Sequence, residues 1–242
     1  LKGQKGYEIY LRDAHNQIKE PFENGEYDKA AVPGTDVVST IDADLQSYGE
    51  LLMQNKIGSL VAIEPGSGDI LTMVSSPGID VNKLSQINKY YQEIIQDPFK
   101  PMFNRAVMSP QPPGSVFKLV NSLIGLQEGV LTPNTYYPCH YGYTIGNLTV
   151  GCHGHPSPIN MYQSIMMSCN AYYCYVFRSI IDNPKYKSVT ESFEKWKDYT
   201  ESFGFGKKLG TDIPNEQPGT MPTVARYDKI HGKGRWKSLS II

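Results

Sequence analysis

Pro112-Pro113-Gly114-Ser115-Val116-Phe117-Lys118 is the stretch on which the reading of this chain turns. Two prolines stiffen the approach. The glycine lets the backbone turn sharply into a helix that starts near Ser115, runs to about Glu128 and is stopped by Gly129. Residues three apart on a helix share a face, so Lys118 can sit beside Ser115 Oγ. The N–H groups of a helix's first turn, with the positive end of its dipole, favour an oxyanion. A nucleophilic serine needs a base within hydrogen-bond reach, and a lysine serves only if burial or neighbouring cations pull its pKa down. Ser-x-x-Lys is a short pattern, and it recurs at Ser192-Phe193-Glu194-Lys195, where it reads as a solvated helix face. The proline–glycine lead, the apolar Val116 and Phe117 and the position at a helix start set Ser115 apart from Ser192.

A second polar element is Ser168-Cys169-Asn170, set among Met166, Met167, Ala171, Tyr172 and Tyr173. It can be a polar break inside a buried helix spanning residues 160–181. Two polar side chains in such apolar surroundings are costly unless paired, and a catalytic pocket is one way to pair them.

Working outward, residues 1–36 are polar and loop-like, with Gly3, Gly6, Gly25, Pro33 and Gly34 as breakers, and read as an extension. Val37-Val38-Ser39-Thr40-Ile41 is strand-like. Asp42 then caps a helix to about Asn55, with Leu45, Leu51, Leu52 and the stem of Gln46 on its apolar side. Residues 59–64 and 70–75 form a hairpin around Pro65-Gly66-Ser67-Gly68-Asp69. Residues 77–113 hold no long periodic segment. A second hairpin spans residues 136–152 and turns at Gly146-Asn147, and residues 187–203 make an amphipathic helix carrying Val189, Phe193 and Trp196 on one side. Hairpins separated by helices predict an α+β fold, an antiparallel sheet with helices on both sides, with residues 37–242 as the main domain.

The bulk properties agree with a globular domain. Hydrophobic residues make up 40% of the 242, charged residues 19%, and the net charge is −1. Lysine and arginine are nowhere dense enough to neutralise a row of phosphates, which argues against nucleic acid as a partner. The longest apolar runs fall far short of a membrane span. Leu1 is not an initiator methionine, and residues 236–242 stop in an apolar stretch, so the sequence reads as cut from a longer protein at both ends.

Ser115 to Lys118 together with Ser168 to Asn170 resembles the first two of three motifs shared by penicillin-binding proteins and serine β-lactamases. Other stretches resemble the monofunctional, elongation-type (class B) transpeptidases in the same order. They are Val38 to Gln46, Leu60 to Leu71, Asn104-Arg105-Ala106, Gly129 to Asn134, Phe203-Gly204-Phe205-Gly206 and Gly219-Thr220-Met221-Pro222. The resemblance implies a peptidoglycan D,D-transpeptidase that β-lactams inhibit. Ser115 would be acylated by a stem peptide, Lys118 would be its base, Ser168 would relay a proton to the leaving amine, and Asn170 would hold the substrate amide and the lysine. It implies residues 1–36 as the end of a pedestal or dimerisation region, a periplasmic location with a membrane anchor elsewhere, and membrane proteins of cell-wall elongation as partners. The family's third motif, Lys-Thr-Gly or Lys-Ser-Gly, is absent, and Lys208-Leu209-Gly210-Thr211 does not fit it. The expectation is therefore a fragment inactive on its own. The competing readings are a β-lactamase or β-lactam sensor, and a non-catalytic zinc-stabilised interaction module.

The cysteines carry a second expectation. Cys139 precedes the second hairpin and Cys152 follows it, His155 lies three residues beyond Cys152, and Cys169 sits inside the Ser-x-Asn element. Three thiolates and an imidazole make a tetrahedral zinc set, and a structural zinc would staple the hairpin to residues 168–170. A Cys139–Cys152 disulfide competes with it in an oxidising periplasm. His140 and His153 compete with His155, and the resemblance to class B proteins favours His155. Cys174 reads as a small buried hydrophobe.

Overall fold

The computed structural model describes residues 2–242. The chain divides into two compact units, Leu1–Pro101 and Met102–Ile242.

In the first unit, strands β1 (Tyr10–Arg12) and β2 (Ile18–Pro21) pair antiparallel. Residues 37–41 do not form the expected strand. They are exposed and attached through Thr40 Oγ1 to the Ile70 carbonyl at 2.7 Å. Helix α1 (Ala43–Leu52) begins as expected at Asp42, whose carboxylate accepts the Leu45 N–H at 2.8 Å. Strands β3 (Gly58–Ile63) and β4 (Ile70–Ser76) make the expected hairpin. Of the expected side of α1, Leu45 and Gln46 are half-buried, while Leu51 and Leu52 are exposed. Contact with the hairpin runs through Gln46, as expected, and through Gly49, where a Cβ would lie 3.0 Å from Val74 Cγ2. The Gln46 amide accepts from Thr72 Oγ1 and the Met73 N–H and donates to the Met73 carbonyl. Residues 77–101 hold two helices that the proline-rich composition hid, α2 (Val81–Ser85) and α3 (Ile87–Gln96).

The second unit opens with the short α4 (Arg105–Met108). A 3-10 turn over Gly114–Val116 then leads into α5 (Phe117–Gln127). Gly114 has φ +60 with open space where a Cβ would be, so conformation rather than room calls for glycine there. Strands β5 (Gly142–Ile145) and β6 (Leu148–Gly151) form the second hairpin, which turns at Gly146-Asn147 as expected but spans less than the expected residues 136–152. The expected continuous helix over residues 160–181 is two helices, α6 (Met161–Met166) and α7 (Asn170–Ile181). They are broken where Ser168 takes the left-handed conformation, φ +48. Helices α8 (Val189–Ser202) and α9 (Val224–His231) complete the unit. Ser192 is not on a solvated face: it is buried beside Phe193, its hydroxyl 3.3 Å from the Ser188 carbonyl.

The fold is α+β, with all strand pairing among the described residues antiparallel and in three two-stranded sheets. The second unit's core centres on α7, whose Tyr172, Val176, Ile180 and Ile181 pack with Ile124, Ile159, Phe193 and Trp236. Burying each such side chain is worth about 1.5–3 kcal/mol. That burial holds α7 rigidly against α5, the helix carrying the candidate nucleophile.

Candidate active site and a cysteine–histidine cluster

Four predicted residues meet where the start of α5 faces the α6–α7 break. Lys118 Nζ lies 3.2 Å from Ser115 Oγ, 3.0 Å from Ser168 Oγ, 2.6 Å from the Ser168 carbonyl oxygen and 2.7 Å from Asn170 Oδ1. Ser168 Oγ donates to Ser115 Oγ at 3.0 Å. Each contact has a local cause. The spacing of Ser115 and Lys118 puts both on one side of the helix start. The left-handed turn at Ser168 presents its hydroxyl and its carbonyl to the same lysine. A non-glycine residue held there costs on the order of 1–3 kcal/mol, a strain that tends to gather at functional sites. Asn170 opens α7, and its Nδ2 donates to the Gly151 carbonyl at 2.8 Å, which ties the amide to the end of β6.

Ser115 is exposed and Lys118 half-buried, so the candidate nucleophile is accessible while its partner is shielded. Burial holds the Lys118 amine below its ordinary pKa, outweighing the nearby thiols of Cys152, Cys169 and Cys174, which act the other way. Of the two means of depressing a lysine, burial is the one at work. Composition did not reveal what lies beneath. The Tyr173 ring centroid is 5.9 Å from Lys118 Nζ, and the Tyr173 hydroxyl is 2.7 Å from Ser122 Oγ. Helical spacing could have found both, since Ser122 lies four residues after Lys118 and Tyr173 three after Asn170.

The predicted ligands also converge. One donor atom each from Cys139, Cys152, His155 and Cys169 lies within 4.8 Å of all the others. Cys152 Sγ is 3.9 Å from Cys169 Sγ and 3.6 Å from His155 Nε2. A tetrahedron with Zn–S of about 2.3 Å and Zn–N of about 2.0–2.1 Å has edges of about 3.8 and 3.6 Å, so the spacing fits such an ion. All four cysteines of the chain are free thiols, so the competing Cys139–Cys152 bond is not formed. His155 Nδ1 sits 2.8 Å from the Pro156 carbonyl, which can only accept, so Nδ1 carries a proton and the ring is held with Nε2 toward Cys152 Sγ. His140 and His153 stay outside the cluster.

The thiols differ electrostatically. Burial raises Cys169 to about 12 and also lifts Cys139. At Cys152 burial acts upward too, but the Asn170 N–H, the His155 ring and the Ala171 N–H together bring it down to about 6. The cluster adjoins the Ser–Lys site directly: the Asn170 N–H points at Cys152 Sγ, 3.4 Å away, and Cys169 lies between Ser168 and Asn170.

An accessible serine, a shielded lysine, a second serine and an amide are thus gathered on one side of an α+β frame. The sequence matches the penicillin binding protein transpeptidase domain over residues 58–235, and the chain belongs to that family. It is 29% identical over 231 residues to the peptidoglycan D,D-transpeptidase MrdA of Acinetobacter baumannii, covering 92% of this chain and 32% of that protein. Among solved structures, Pseudomonas aeruginosa PBP2 in complex with WCK 5153 superimposes with a TM-score of 0.70 at 27% identity, covering 86% of this chain and 46% of that one. Helicobacter pylori PBP2 in complex with MreC gives 0.72 at 25% identity, over 98% of this chain and 42% of that one. The resemblance to the elongation-type branch is borne out by these relatives. The chain spans about a third of the length of the curated relatives it matches. Among the described residues no helix is long and apolar enough to cross a membrane.

Proposed function

We propose that this chain is the acyl-transfer domain of a peptidoglycan D,D-transpeptidase, with Ser115 as its nucleophile. The observation that carries the reading is the set of acceptors around Lys118 Nζ. A neutral amine has two N–H donors and one lone pair. The Ser168 carbonyl and Asn170 Oδ1 accept only and are the two shortest contacts, so they take both N–H groups. The lone pair is left for the Ser115 hydroxyl, and the depressed pKa of Lys118 supports that neutral form.

Ser115 Oγ attacks the carbonyl of the penultimate D-Ala of a stem peptide as its proton passes to Lys118. An ester bond forms, the amide bond to the terminal D-Ala breaks, and the leaving amine takes its proton by way of the Ser168 hydroxyl. The amine of a second stem peptide then attacks the ester, frees Ser115 and makes the crosslink. Asn170 holds the substrate amide while its own amide keeps Lys118 in place. The strained amide of a β-lactam acylates the same oxygen. The relatives' names favour this reading over a β-lactamase, a β-lactam sensor or a non-catalytic module.

Cys139, Cys152, His155 and Cys169 are assigned as the ligands of a structural zinc. Bound there, zinc supplies a closed four-ligand cross-link with no position open for chemistry. The same residues hold the segment after β6 beside the α6–α7 break. The whole protein is assigned to the periplasmic side of the inner membrane, anchored by a segment outside residues 1–242, with residues 1–36 ending a preceding pedestal. Membrane proteins of cell-wall elongation are its partners, a class supported by the Helicobacter pylori relative solved with MreC.

Intact-mass measurement of the whole protein after exposure to a penicillin is expected to give one adduct, absent in Ser115→Ala and retained in Ser192→Ala. An adduct that survives Ser115→Ala overturns the assignment.

A further inference from the structure

We infer that the buried contact between Ser122 and Tyr173 sets the register of α5 on α7, so that Tyr173 is a positioning residue for acyl transfer through Lys118. The inference rests on the reading of Ser115 and Lys118 given above. Two polar rungs join the helices. Lys118 Nζ to Asn170 Oδ1 spans 2.7 Å, and Ser122 Oγ to the Tyr173 hydroxyl spans 2.7 Å one turn further along both. A third step follows where Gly125 approaches Val176, a Cβ there standing 3.4 Å from Val176 Cγ1. Residues 118, 122 and 125 thus face 170, 173 and 176 in order, and the two helices run in the same sense.

The rung also reaches α6. Ser164 Oγ lies 3.5 Å from the Tyr173 hydroxyl and donates to the Met161 carbonyl at 2.7 Å, so the helix leading into Ser168 is fixed at the same point. Ser122, Ser164 and Tyr173 are all buried, and water cannot easily replace a lost partner. The Tyr173 ring closes the core side of the lysine. The other groups facing Lys118 are Ser115 from the helix start, Ser168 and Asn170 from the α6–α7 break, and the thiols of Cys152, Cys169 and Cys174. The polar contacts among these fix the end of the side chain but not the spacing of the helices beneath it. The second rung holds that spacing.

The test compares Tyr173→Phe, Ser122→Ala and the double variant in the whole protein. Tyr173→Phe keeps the ring and removes only the hydroxyl. Expected is a drop of about ten- to a hundredfold in the acylation rate constant at saturating penicillin, the scale of a positioning error, with the half-saturating concentration unchanged. The double variant is expected to be no slower than the slower single one, because both remove the same rung. Ile180→Val, a core change elsewhere on α7, lowers Tm without changing the rate. In parallel, the Lys118 side-chain NMR signal is titrated in each protein. Loosened helices admit water, so its midpoint is expected to rise in the rung variants and to stay in place in Ile180→Val. Rung variants that lose Tm but keep both the rate and the Lys118 midpoint overturn the inference. If the parent protein takes no penicillin, the Ser115 reading falls, and the Lys118 titration still decides the rung: an unmoved midpoint rejects it and a raised one upholds it.

Discussion

On the zinc assignment proposed above, stripping the metal from the cysteine–histidine cluster should lower the melting temperature by about 10 °C. The perturbation is dialysis against a strong chelator, with Cys152→Ser as its genetic counterpart. The separations of 3.9 Å between two thiols and 3.6 Å between thiol and imidazole match the edges of a tetrahedral zinc site, and all four donors lie within 4.8 Å of one another. Zinc held at a free concentration about a thousandfold above its Kd stabilises the folded state by about 4 kcal/mol. In a chain of this length each kcal/mol is worth about 2–4 °C, which gives the expected shift. Cys152→Ser should cost slightly more, because it also removes the thiol that the Asn170 N–H approaches. Cys174→Ser is the control, since Cys174 is buried outside the cluster and should leave metal content unchanged. The assay is elemental analysis of protein purified without added zinc, followed by thermal denaturation before and after chelation. Protein that holds almost no metal, or whose melting temperature ignores the chelator, refutes the reasoning.

The remaining predictions concern the helix pair. Lys118 lies below its ordinary pKa in the folded state, so acylation should rise with pH as the amine loses its proton, at a midpoint below that of a free lysine; a pH–rate profile checks this. Stability should follow the same sign. Charging a shielded lysine penalises the folded state fully below its folded pKa, and the penalty vanishes above the unfolded value, so stability climbs between the two. In Gly125→Ala the new Cβ would lie 3.0 Å from Leu131 Cβ and 3.4 Å from Val176 Cγ1. Overpacking of about 1–3 kcal/mol should outweigh the gain of about 1 kcal/mol in helix propensity, and a raised Tm would contradict the close approach of α5 to α7.

Much of this was legible because it is local. The start of α5 at a proline–glycine lead, both hairpins, the cap of α1 and the amphipathic α8 follow from turn chemistry and periodicity over a few residues. The Ser115–Lys118 pair was legible for the same reason, being one helical turn. Non-local contacts were harder to read. Leu51 and Leu52 look like a core face, yet α1 meets its hairpin through Gly49 and the Gln46 amide, because a missing side chain lets the backbone come close. The tyrosines and isoleucines of residues 160–181 suggest one helix, and nothing in composition signals that Ser168 will take a left-handed turn. The Ser122–Tyr173 rung escaped because hydroxyls inside two amphipathic helices look like ordinary polar substitutions until the helices are paired.

The residue that joins the two halves of the site is Cys169, and its type is explained by a double duty. Ser168 and Asn170 both turn to Lys118, so the residue between them is directed to the other side, into the core and toward Cys152 and Cys139. It is also the N-cap of α7, its sulfur accepting the Tyr172 N–H at 3.3 Å. Serine or aspartate caps a helix better than cysteine, since sulfur is a weak acceptor. Neither, however, gives a soft thiolate for a three-sulfur site, and a carboxylate so deeply buried would carry a desolvation penalty. On the zinc and acyl-transfer assignments proposed above, cysteine gives up part of the cap in exchange for a ligand that is covalently adjacent to both polar arms of the site. Any metal-held displacement of Cys169 is therefore passed along two peptide bonds to Ser168 and Asn170, and loss of the cluster should disturb Lys118 before it unfolds the domain.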